Sequence, residues 1–118
     1  MGTGPGERRV RFEAELAFLS TAEGGRQTPV LSGYRPDAWF GATDVGKPVL
    51  HGIWVDFHDD EIRPGETKSA AVTVRVPEGL QDFGITLEEG SKFEVREGAQ
   101  VVARGRVTRI LAQEETPA

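Results

Sequence analysis

The chain has 118 residues, room for one domain and one modest core, with 37% apolar residues. It holds no cysteine, which removes disulfides and thiolate chemistry, and its net charge of −5 argues against a dedicated nucleic-acid binder. No run of 18 apolar residues exists, and the first residues lack the apolar centre of a signal peptide, so cytoplasmic placement is expected.

Residues 1–9 are Gly-rich and read as a loose leader. From Val10 to Phe18 every even position is apolar, while Arg11, Glu13 and Glu15 occupy the other face. That two-residue period predicts a half-buried strand. Thr21 to Arg26 is turn material, with Gly24-Gly25 available for positive φ. Ser32 to Pro36 predicts a second reversal, and Ala38 to Ala42 a strand carrying Trp39 and Phe40. Val49 to Phe57 is a third strand with weaker alternation.

Arg63-Pro64-Gly65-Glu66 is a turn signal. Val72, Val74 and Val76 then mark a strand over 70–76, ended by Pro77 and Gly79. Residues 80–87 are mixed and give no clear element. Phe93 to Arg96 predicts a strand, and Glu97-Gly98 a tight hairpin. The last strand is expected over 101–111, with Val101, Ala103, Gly105 and Val107 facing inward. Gly105 suits either a close strand crossing or a bend. Residues 113–118 form a polar tail. About six antiparallel strands with this patterning predict an all-β fold, a single closed barrel over 10–112, because closure removes exposed edges.

Gly24-Gly25-Arg26, Gly33-Tyr34-Arg35-Pro36, Trp39-Phe40, Thr43-Asp44, Pro64-Gly65-Glu66 and Arg96-Glu97-Gly98 follow one another over about 100 residues. In this order they resemble the C-terminal β-barrel of the elongation factor Tu family, its third domain. The likeness is poorest over 45–63 and 77–91, where this chain is longer. It covers nearly the whole chain and nothing of the GTPase, so a free-standing, non-catalytic relative is expected. The phosphate cradle GxxxxGK followed by Ser or Thr is missing from this sequence, so no nucleotide is expected to bind.

The resemblance implies three kinds of contact: packing on the factor's other domains, the T-arm of aminoacyl-tRNA, and the nucleotide-exchange factor. Carried over residue by residue, Arg26, Glu97 and Gly98 are the RNA-binding candidates. The footprint is partly erased, however. Asp37 replaces a glutamine that contacts RNA, Gly46 a threonine, Gln27 a histidine or lysine, and Gly41 an arginine. A lost phosphate contact weakens binding, and an added carboxylate repels. Arg35 is expected to stack, or to pair with a carboxylate such as Asp44.

The leading expectation is therefore docking of a protein partner or a second copy. Tyr34, Trp39, Phe40 and Trp54 are its candidate anchors wherever they lie outside the core. Salt-sensitive tRNA or structured-RNA binding through Arg26, Arg96, Glu97 and Gly98 is the alternative. A metal site within His51, Asp56, His58, Asp59, Asp60 and Glu61 comes third. It requires a bulge, since alternation puts His51 opposite Asp56 and His58. No metal, cofactor or catalytic residue is expected: both histidines lie in this stretch, and no serine has a His-Asp pair. Asp82-Phe83-Gly84 spells a kinase motif without its companions and reads as a turn.

Overall fold

A computed structural model describes residues 9–113. Six strands form one closed antiparallel barrel in the order β1-β4-β3-β2-β5-β6. They are β1 (Val10–Phe18), β2 (Asp37–Asp44), β3 (Lys47–Asp56), β4 (Thr67–Val74), β5 (Lys92–Glu97) and β6 (Gln100–Gln113). β6 closes on β1, with Leu16 opposite Gly105 and Phe18 opposite Ala103. The all-β closed barrel expected from the sequence is the observed architecture. Apart from Arg9 and Gln113, the expected leader and tail lie outside the described residues, and Gln113 itself belongs to β6.

Alternation on β1 sends Val10, Phe12, Ala14, Leu16 and Phe18 inward, all buried. They meet Ile53 and Val55 from β3, Val72 and Val74 from β4, Val95 from β5 and Val107 from β6. Fully burying a side chain of this size contributes about 2 kcal/mol, so this interior is the main source of stability. Phe12 packs edge-on against Phe93 at 5.5 Å. Gly105 lies beneath the same ring: a methyl group there would fall 2.3 Å from Phe93 Cζ. The space that Gly105 leaves is filled by an aromatic side chain, not by a crossing strand.

Several details differ from expectation. The strand expected over 70–76 ends at Val74, and Val76, expected on the face of Val72 and Val74, is exposed beyond its end. A register shift between Val95 and Arg96 turns Val102 into the core and leaves Val101 half-buried, where Val101 was expected inside. Pairing across the hairpin imposes the shift, and one strand's alternation cannot show it. Residues Glu78–Asp82 form a short helix, α1, which buries Leu80. Its single turn is too short to show a helical period in sequence. Gly25 lacks the positive φ expected of it, which falls on Gly24 at 95°. Gly25 is instead required by close approach, since a methyl group there would lie 2.3 Å from the Leu19 carbonyl oxygen.

Candidate functional site

The loop between β1 and β2 begins with a 3-10 turn over Thr21–Glu23. Ser20 and Glu23 cap each other's backbone: Glu23 N–H donates to Ser20 Oγ at 3.2 Å, and Ser20 N–H to Glu23 Oε1 at 2.9 Å. Gln100 Nε2 ties the loop to β6 by donating to the Gly24 carbonyl at 2.8 Å. Thr21 Oγ1 donates to the Arg26 carbonyl at 2.7 Å. Arg26 is thereby delivered to the β5–β6 hairpin.

There it meets Glu97. Arg26 Nη1 and Tyr34 Oη both donate to Glu97 Oε2. Arg26 also donates to the Thr28 carbonyl and to Thr28 Oγ1, each at 3.1 Å, and its guanidinium sits 5.4 Å from the Tyr34 ring centroid. Burial, reinforced by the hydrogen bond to Glu97 and its charge, raises the Tyr34 pKa. The phenol stays protonated and remains a donor. Two residues expected to touch RNA are thus each other's ion-pair partners, with Tyr34 as the third member.

The remaining anchors lie apart. Phe40 packs on the core, with its ring 5.4 Å from Phe93 and 6.4 Å from Phe12. Trp39 faces outward on β2 and is half-buried, and its indole N–H donates to the Ala42 carbonyl at 2.8 Å. Arg96 lies 5.2 Å from its ring centroid and is held there by Glu94 Oε1, with Nη2 at 2.6 Å. Trp54 is exposed on β3, with Arg35 at 5.4 Å from the centroid and Arg75 at 5.9 Å. Arg35 stacks; no ion pair with Asp44 forms.

Trp39 borders a shallow groove of ≈ 240 Å³, with Gly41, Lys92, Phe93, Glu94, Arg104 and Gly105. Gly41 makes room for it. With φ at 101° it occupies the left-handed region within an irregularity of β2, between Trp39 and Thr43. Across β5 and β6, Glu94 faces Arg104 and Lys92 faces Arg106. Among the described residues, Lys92, Arg104 and Arg106 form no ion pair. The groove therefore has an apolar floor and a cationic rim. Arg96, Arg104, Arg106 and Arg109 are visible as a basic cluster in the sequence; that Lys92 joins Arg104 beside Trp39 is decided by the pairing of β5 with β6.

The histidine segment does not converge. Among the described residues, no three His, Asp or Glu side chains gather as metal ligands. His51 is buried between Phe40 and Phe83, and its Nε2 has no hydrogen-bond partner among the described residues. Burial lowers its pKa below 6.5. Asp56 and His58 line a separate outer groove with Arg11 and Glu13. Asp59 pairs with Lys68 at 3.2 Å, and Glu61 with Arg63 at 2.7 Å.

Fold and site together define a class: a small closed antiparallel barrel whose outer face presents aromatic rings and guanidinium groups. A sequence model described as the elongation factor Tu C-terminal domain matches residues 7–111, and the chain belongs to that family. It is a translation-factor-like domain of the non-catalytic kind. No helix among the described residues is long and apolar enough to cross a membrane.

Proposed function

We propose that this domain docks a protein partner, or a second copy of itself, through the outer face of β2, β5 and β6. The groove beside Trp39 carries the reading. It joins an indole, a glycine floor and two cations, Lys92 and Arg104, that form no ion pair among the described residues, the combination that anchors protein interfaces. The RNA alternative draws less support, because Arg26 and Glu97 satisfy each other and Tyr34. A phosphate would have to break that cluster before using Arg26. In the family, the third domain packs on the factor's other domains and receives the exchange factor, so these are the natural heterotypic partners.

Light scattering of the chain alone, and mixed with the first two domains of elongation factor Tu or with its exchange factor, tests the proposal. Self-association or a mixed complex is expected, lost in Lys92→Glu with Arg104→Glu. A monomer that joins neither, yet retains tRNA at low salt and releases it on Arg26→Ala, would replace docking with RNA binding.

A further inference from the structure

The outer face of β3 carries a second aromatic centre, remote in register from the groove. Trp54 is 39% exposed, turned outward between the buried Ile53 and Val55. Two guanidiniums approach its ring from the two flanks of β3. On one flank residues 33–36 run beside the strand. Gly33 N–H donates to the Val55 carbonyl at 2.9 Å, and Ile53 N–H to the Pro36 carbonyl at 3.0 Å, which brings Arg35 to the indole. On the other flank Arg75 N–H donates to the Gly52 carbonyl at 2.9 Å. The Arg75 stem then lies over Gly52, where a methyl group would come within 3.1 Å of Arg75 Cδ.

Among the described residues, neither Arg35 nor Arg75 pairs with a carboxylate, and Trp54 Nε1 donates no hydrogen bond. The side-chain polar atoms of Arg35, Arg75 and Trp54 are all donors, so a ligand must bring acceptors. Register restricts what kind. Asp37 stands opposite Gly52, and Asp56 lies two residues along β3 from Trp54. A phosphate backbone crossing the patch would meet a carboxylate at either end, on a chain of net charge −5. One or two separate carboxylates would not.

We propose that Trp54, Arg35 and Arg75 form a recognition site for a short acidic segment of a protein partner. The guanidinium forks receive its carboxylates, and a neighbouring apolar side chain lies on the indole. The site shares with the docking proposal the premise of a protein partner but uses a different surface, so the two fail separately.

Trp39→Phe leaves Trp54 as the sole indole, because the chain has two tryptophans. In that background, titration with an acetylated peptide holding a single Glu-Leu-Glu among neutral residues is expected to shift Trp54 emission saturably. Arg35→Gln with Arg75→Gln is expected to weaken binding about tenfold. Arg35→Lys with Arg75→Lys, which keeps charge but not the fork, is expected to fall between. No saturable shift, an equal response in the glutamine pair, an equal response to a lysine–leucine peptide, or tighter binding of an RNA oligonucleotide would each overturn the assignment. A chain that forms its complex through the groove yet gives no peptide response would end this inference and leave the docking proposal standing. A peptide response from a chain that forms no groove complex would do the reverse.

Discussion

The cluster at Tyr34 and the patch at Trp54 are built from the same parts, an aromatic ring with a guanidinium beside it. The difference that matters is a carboxylate. At Tyr34 the phenol and Arg26 share Glu97, and each guanidinium nitrogen donates within the fold. At Trp54 two guanidiniums share the ring, and among the described residues no acid pairs with them. The first arrangement locks a loop to a hairpin; the second leaves donors facing solvent. A residue matched to a family's ligand contact can therefore be closed upon itself, while one that the resemblance gives no ligand remains available. His51 is a third case, with a polar ring among aromatic rings, buried and unanswered.

The severest way to break the closed cluster is through the loop that delivers Arg26. Gly25→Ala puts a methyl group against the Leu19 carbonyl, and the backbone has to move. A loss of about 3 kcal/mol in denaturant unfolding is expected. An unchanged midpoint would show that this loop is slack.

Removing the acid itself should make the Tyr34 cluster resemble the Trp54 patch. Glu97→Ala leaves a half-buried phenol and a guanidinium without their acceptor, so stability should drop by about 2 kcal/mol in the same measurement. If the cluster does occlude an RNA face, this variant is the one in which tRNA retention should rise, as read by gel shift at low salt.

His51 gives the comparison a pH axis. Its pKa is lowered by burial, so the unfolded chain takes up the proton first as pH falls. Stability from the neutral ring is fully present above about pH 6.5 and declines as pH drops below it. Melting curves between about pH 8 and pH 5 should show that decline, and His51→Leu should flatten it. Identical slopes in the two proteins would mean the ring is not held neutral by the fold.

The smallest effect comes from supplying the missing acid to the open patch. Thr73 stands directly across from Trp54 on β4. Thr73→Glu should raise stability by no more than about 0.5 kcal/mol, as surface pairs do, while abolishing the response to the acidic peptide. Retained peptide binding would show that the guanidiniums are not its receptors.

Much of the barrel was legible from period and punctuation. The alternation over 10–18 matched its buried face at every position, and the Glu97-Gly98 hairpin fell where glycine allowed it. The site was less legible. Phe40 and Trp39 are neighbours in sequence, yet one ring packs on the core and the other borders a groove, because adjacent strand residues face opposite ways. Composition at those positions could not rank them; the face that β2 turns to the interior does.

The sequence by itself determined the six strands in outline, most of their inward faces, the main turns and the family, because those follow from local backbone preferences and the two-residue period. Closure decided the rest. Glu97 lies 71 residues from Arg26 and 63 from Tyr34, and only the return of β5 and β6 to the β1–β2 loop brings them together. Pairing on the two flanks of β3 placed Arg35 and Arg75 on one indole, with no acid paired to them among the described residues, an outcome of strand register that no local pattern encodes.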